Sequence, residues 1–197
     1  MRGFHPSEFK TRTQNAQVEM ARSGLDALLL TTEPEVRYFT GFLTRFWESP
    51  TRPWFLVLPQ SGDPIAVIPS IGADLMAKTW IGDIRTWTAP NPVDDGISLL
   101  ADTLSEVLPK SAKIGLPSGH ESQLRMPLQD FERLKQRLPN VEFTDDAGII
   151  QKLRLIKSDA EISKISQACK IAGAAFSRVS EVASQGVHLE AVFRGFQ

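Results

Sequence analysis

Hydrolysis at a metal centre needs His, Asp or Glu side chains that converge, and such a centre shows in a sequence as clusters at helical or loop spacing. The three histidines of this chain are scattered. His5 lies near the N-terminus, His120 in the loop PSGHES and His188 at the start of a predicted helix, and none has a histidine partner at i+4. Each is read as solvated or capping. Asp94-Asp95 precedes an apolar run, where carboxylates cap a helix and complement its dipole, and Asp145-Asp146 is read the same way. Cys169 sits on an apolar helical face and is read as a small buried hydrophobe rather than a nucleophile. There is no G-x-S-x-G elbow, no G-x-G-x-x-G and no G-x-x-x-x-G-K-[ST] loop, which disfavours a serine hydrolase, a dinucleotide site and a P-loop. The expectation is a chain without catalytic residues or a metal ligand set of its own.

The segment whose composition points to contact with another molecule is Tyr38 to Trp54, YFTGFLTRFWESPTRPW. It crowds aromatic residues with Arg45 and Arg52 in a proline-containing loop. Aromatic walls exclude water and a guanidinium grips a carboxylate bidentately, so an anionic or zwitterionic small ligand suits it. The competing reading is an aromatic minicore beneath a long loop.

Charge narrows the partners further. The 22 basic and 23 acidic residues leave a formal net charge of -1, too little for the broad positive field that draws nucleic acid or an anionic membrane. The one cysteine fits a reducing compartment, and charges in MRGFHPSEFKTRTQ replace the apolar stretch of a signal peptide. No apolar run approaches the ~18 residues of a membrane span. The expectation is a cytoplasmic protein with no nucleic-acid or membrane partner.

The elements that must position the loop follow from periodicity. Pro6 to Ser23 reads as a partly exposed amphipathic helix, with Phe9, Ala16, Val18, Met20 and Ala21 as its apolar or small positions and Gly24 as its C-cap. Leu25 to Leu30 is too short for a helix and suits a strand buried on both faces. Glu33 to Gly41 predicts a short helix, Trp54 to Leu58 and Ile65 to Ile68 a hairpin joined by PQSGDP, Ser70 to Trp80 a small helix and Ile84 to Thr88 a strand. Val93 to Leu108 is read as a helix with Ile97, Leu100, Ala101, Leu104 and Leu108 inward. Lys113 to Leu116 and Val141 to Thr144 read as strands flanking a helix from Leu128 to Leu138. This alternation predicts an α/β fold with a mixed, largely parallel sheet flanked by helices, all in residues 1–150. From 151 the texture is helical: Ser158 and Glu161 form a capping box that starts a helix at Asp159, with Ile162, Ile165, Ala168, Cys169, Ala172, Ala175, Phe176 and Val179 as its stripe. The closing VHLEAVFRGF opens another helix, which suggests a piece of a longer protein.

Two motifs carry a family resemblance. EPEVRYFTGF after the first strand, with Tyr38, Thr40 and Gly41, and LRLIKSDAEISKISQACKIAGAAF, with Arg154, Ile156, Lys157, Ser158, Glu161 and Ile162, resemble the creatinase/prolidase (Xaa-Pro peptidase, M24-type metallopeptidase) family. The resemblance implies a ribonuclease-H-like N-terminal α/β domain over 1–150. It implies that 151–197 is a linker plus the first helices of a truncated pita-bread catalytic domain, with Gly186 to Glu190 similar to the turn before the family's next helix. It also implies that a divalent metal pair (Mn, Co or Zn) is held elsewhere, by residues outside this chain. A homodimer is implied as well, in which this domain reaches the partner's active site and Arg45, Trp47 and Arg52 contact a small peptide or zwitterionic substrate without doing bond chemistry. Two other readings stay open: a non-hydrolytic relative acting as a binding or scaffold protein, and an independent α/β enzyme complete at Gln197.

Overall fold

A computed structural model describes residues 3–49 and 52–195. The chain forms two compact units, Met1–Leu155 and Ile156–Gln197. In the first, helix α1 (Pro6–Ser23) begins with proline in its first turn, where the missing N–H is no loss, and ends at Gly24 in the left-handed region (φ 65°). It leads into β1 (Ala27–Leu30), then α2 (Glu33–Thr40), β2 (Phe55–Pro59), β3 (Ile65–Pro69), the single turn α3 (Ala73–Met76), β4 (Asp83–Trp87), α4 (Ile97–Val107), β5 (Lys113–Leu116), α5 (Leu128–Arg137), β6 (Glu142–Asp145) and α6 (Ile149–Leu155).

The six strands form one sheet in the order β4-β3-β2-β1-β5-β6. β1 pairs antiparallel with β2 and β2 with β3, while β3–β4, β1–β5 and β5–β6 are parallel. The mixed, largely parallel α/β sheet expected from the sequence is therefore the one observed. Its central strands alternate strictly. Leu28, Leu30, Leu56, Leu58, Ala66 and Ile68 face a core shared with α1, α2, α3 and α6, whereas Ala27, Leu29, Phe55, Val57, Ile65 and Val67 face one shared with α4 and α5. Every residue of β1, β2 and β3 is buried, which is why they read as continuous apolar runs.

Several expectations change. Of the apolar or small positions read for α1, Val18 and Ala21 are exposed, while the polar Arg12 and Thr13 are buried. Arg12 bonds the carbonyl of Tyr38 at 2.7 Å and lies over the Phe4 and Tyr38 rings, so aromatic contacts bury a guanidinium that sequence polarity places outside. The helix expected from Val93 starts at Ile97: Gly96 adopts φ 91°, and Asp94 accepts from the N–H groups of Ile97 (2.8 Å) and Ser98 (3.1 Å). Val93 and Leu128 are largely exposed. The small helix expected over Ser70 to Trp80 shortens to a 3-10 turn at Ser70–Gly72 followed by α3.

The second unit contains α7 (Asp159–Ser177), α8 (Val179–Val182) and α9 (Leu189–Gly195). The capping box at its start forms as read, with Ser158 Oγ accepting from Glu161 N–H at 3.2 Å and Glu161 Oε2 accepting from Ser158 N–H at 2.9 Å. None of the three helices contributes a buried residue. Cys169 is accordingly exposed, against the expectation of a buried thiol. Periodicity sets where apolar side chains stand on a helix; burial requires a surface laid against them, and the described residues of this unit do not supply one.

Two buried carboxylates give the first unit a pH signature. Glu35 accepts from the N–H groups of Thr31 (3.4 Å) and Thr32 (3.1 Å), and Asp146 from those of Gly148 (3.2 Å) and Ile150 (3.0 Å). Burial pushes both carboxyls above their ordinary values against the pull of these bonds, and the charge of Asp146 adds to the rise at Glu35. A carboxyl raised in the folded state binds its proton before the unfolded chain does. Its contribution to stability therefore grows as pH falls through the folded pKa, and is complete below the unfolded value of about 4.3. Relative to Glu35→Gln, which keeps an acceptor for both N–H groups, the wild-type chain should gain stability between pH 7 and 4 in urea titrations. A difference that stays flat with pH would place the Glu35 carboxyl at its ordinary value.

A loop clamped beneath an open depression

The loop from Phe42 to Trp54 is launched by α2. Glu35 closes a capping box at Thr32, and Gly41 ends the helix at φ 76°. A side chain at Gly41 would strain that left-handed backbone and place Cβ 2.7 Å from the Phe9 ring. Thr40 Oγ1 then donates to the Val36 carbonyl (2.7 Å) and accepts from Phe42 N–H (2.9 Å), turning the chain outward. Thr44 Oγ1 accepts from Phe46 N–H at 3.3 Å and starts a 3-10 turn, Arg45–Glu48. Pro50 and Thr51 lie outside the described residues.

The aromatic residues split between two roles. Phe42, Trp47 and Trp54 pack together, with ring centres 5.4 Å apart for Phe42–Trp54 and 5.6 Å for Trp47–Trp54, while Phe46 stacks on the outer side of Trp54 at 6.4 Å. Trp54 is fully buried and Trp47 is 8% exposed. Above them lies an open depression of about 520 Å³ lined by Glu33, Leu43, Thr44, Arg45, Trp47 and Glu48. The aromatic minicore read as one alternative is therefore present, with an open depression beside it.

Of the three residues singled out from sequence, Arg45 is exposed at the depression, Trp47 forms its floor, and Arg52 is half-buried at the far end of the loop. The indole Nε1 atoms of Trp47 and Trp54 and the Nε of Arg52 are enclosed, with no acceptor among the described residues. The loop interior therefore carries unmatched donors.

Sequence reading missed Arg125, in the segment before α5. Its backbone N–H donates to Thr31 Oγ1 at 2.8 Å. Its guanidinium donates to the carbonyls of Arg52 (2.6 Å) and Ser49, and lies 5.1 Å from the centre of the Trp47 ring. Burial lowers its pKa from the ordinary arginine value, with the Glu33 charge pulling the other way. Its partners are remote in sequence, so no local motif could reveal it.

Of the remaining candidates only His5 caps a helix with its side chain, and Asp95, read as a cap, bonds an indole instead. His5 Nδ1 accepts from Ser7 N–H at 3.3 Å at the start of α1, Asp95 accepts from Trp87 Nε1 at 2.9 Å, and the His188 carbonyl accepts from Ala191 N–H at 2.9 Å as α9 begins. His120 is exposed. Among the described residues no three His, Cys, Asp or Glu side chains come together in a way that could hold a metal ion, and no helix is long and apolar enough to cross a membrane.

Comparison with known proteins agrees with this architecture. A family model described as the creatinase/prolidase N-terminal domain matches residues 12–156. An uncharacterized hydrolase/peptidase of Sinorhizobium fredii is 27% identical over 191 residues, covering 93% of this chain and 47% of that protein. A creatinase from a Bacillus species is 26% identical over 185 residues, covering 93% of this chain and 42% of that protein. The crystal structure of a prolidase from Thermococcus sibiricus superposes with a TM-score of 0.78 at 20% identity over 95% of this chain and 48% of that one, a likeness of fold. The chain spans under half the length of these curated relatives. With a family match over most of its length and the six-stranded sheet to go with it, this chain belongs to the creatinase/prolidase N-terminal domain family.

Proposed function

We propose that this domain is the non-catalytic N-terminal part of a metal-dependent hydrolase of the Xaa-Pro peptidase, prolidase or creatinase kind. In this reading it works in a cytoplasmic homodimer, where the loop from Phe42 to Trp54 helps admit and hold a small peptide or zwitterionic substrate at the partner's active site. The observation that carries the reading is the depression, whose lining combines the exposed Arg45 with the acidic Glu33 and Glu48 and the buried ring of Trp47. A guanidinium grips a carboxylate bidentately and a carboxylate accepts from an ammonium or guanidinium, so opposite charges side by side suit a zwitterion. Trp47 contributes an apolar wall that excludes water, and Arg52 adds positive charge at the loop's end. Among the described residues no three His, Cys, Asp or Glu side chains come together to hold a metal ion, and in this reading bond cleavage falls to residues outside this domain.

The test compares this chain with a longer protein that contains it, on an Xaa-Pro dipeptide panel and on creatine, with Mn²⁺, Co²⁺ or Zn²⁺ added. Turnover is expected from the longer protein alone. In that protein Arg45→Ala should raise KM about tenfold, with kcat changed less than twofold, as loss of a binding contact requires. Turnover by this chain alone, or an Arg45→Ala variant with unchanged KM, would remove the proposal.

A further inference from the structure

The loop that carries the proposed ligand contacts has little regular structure of its own, and it must nevertheless keep Trp47 as a floor with Arg45 and Glu48 facing outward. We infer that Arg125 is the residue that positions it: a guanidinium anchored to the end of β1 that clips both limbs of the loop and fixes the plane of the Trp47 indole. The inference rests on the reading of the loop as a ligand surface only for its consequence, not for the clip itself.

The chain of contacts is continuous. Thr31 follows the last residue of β1 and is 1% exposed, so it moves only with the sheet. Its hydroxyl oxygen accepts from Arg125 N–H at 2.8 Å, which ties the segment before α5 to the C-terminal end of the central strand β1. From that fixed point the Arg125 guanidinium reaches the carbonyls of Ser49 and Arg52, and its carbon lies 5.1 Å from the centre of the Trp47 ring. One planar group thus meets two carbonyls and an aromatic face. Arginine does this where lysine cannot, because its donors are fixed in a fork and its plane stacks on a ring.

Chemistry separates this arrangement from ordinary packing. The guanidinium makes no ion pair with a carboxylate among the described salt bridges, although burial is costly enough to lower its pKa. An apolar side chain would fill the same space under Trp47 without that cost. What an apolar side chain cannot do is tie two carbonyls of an irregular loop to the end of a central strand. The segment from Pro117 to Pro127 and the loop from Phe42 to Trp54 then move as one body, and a change in either alters the depression.

The experiment is amide hydrogen exchange of this chain and of its Arg125→Ala and Arg125→Lys variants, with the amides of β1, β2 and β3 as an internal reference. Arg125→Ala should speed exchange at residues 43–49 at least tenfold, leave the strands unchanged, and shift the fluorescence of the tryptophans to the red. The shift should be absent when Trp47→Phe is combined with Arg125→Ala. Arg125→Lys should recover only a minor part of the protection. Unchanged exchange at 43–49, an equal rise in the strands, or full recovery by lysine would each overturn the clip. In a longer, active protein Arg125→Ala should raise KM more than it lowers kcat. Faster loop exchange with KM unchanged would keep the clip and remove the ligand role of the loop, so the two ideas fail separately.

Discussion

Trp54→Ala should destabilise the first unit by about 3–5 kcal/mol, among the largest losses available from one side chain in this chain. Trp54 is fully buried and touches the aromatic cluster from three sides, with Phe42, Phe46 and Trp47 rings within 6.4 Å. From below it is backed by Gly72, where even a methyl group would meet the indole at 2.3 Å. Truncation leaves a cavity that the sheet cannot close, since Phe55 and its neighbours are already buried and hydrogen-bonded to β1 and β3. Trp54→Phe should cost far less, about 1 kcal/mol, because it keeps a ring and removes an Nε1–H that has no acceptor among the described residues. Urea unfolding of the three proteins measures both steps. A loss below about 1 kcal/mol for the alanine variant would show the cluster to be loosely packed. Gly72→Ala attacks the same contact from the other side and should lower stability without changing any polar group.

Arg12→Ala should cost about 3 kcal/mol, although it removes a charged residue from a surface helix. Arg12 is 5% exposed, bonds the Tyr38 carbonyl at 2.7 Å and meets Glu8 at 3.2 Å. Its guanidinium also lies 4.5 Å from the Phe4 ring centre and 4.3 Å from that of Tyr38. Removing it leaves the Glu8 carboxylate without this partner and takes the central contact out of an aromatic stack between α1 and α2. Arg12→Lys should recover less than half of the loss, since an ammonium has no plane to lay on the rings. A double-mutant cycle with Glu8→Gln isolates the ion pair: a coupling near zero assigns the effect to the rings and the Tyr38 carbonyl together. If Arg12→Ala unfolds at the same urea concentration as wild type, the buried guanidinium contributes nothing net.

What could be read from sequence here shares one property: its physics is local. Pro6 and Gly24 bound α1, Ser158 and Glu161 start α7, Asp94 and Asp146 cap the helices that follow them, and the apolar runs of β1, β2 and β3 require a sheet covered on both faces. These are bonds and contacts within four residues, or patterns set by the period of one element. The resemblance carried by two motifs, EPEVRYFTGF and LRLIKSDAEISKISQACKIAGAAF, pointed to the family that the comparison over residues 12–156 shows. The crowding of aromatic residues between Tyr38 and Trp54 likewise marked the loop, but not which rings lie inside it.

Tertiary structure decided the rest. It buried Arg12 and exposed Val18, left Leu128 and Cys169 exposed at positions where helical spacing suggested burial, and set Trp47 as a floor while leaving Arg45 at the surface. It also brought Arg125 to the carbonyls of Arg52 and Ser49, 73 and 76 residues away along the chain. A hydrophobic period tells which side of a helix is apolar, but burial and donor–acceptor pairing depend on which distant segment arrives there. That is settled by the packing of α1, α2 and the segment before α5 around the sheet, where a guanidinium meets rings and carbonyls that no spacing along the chain connects.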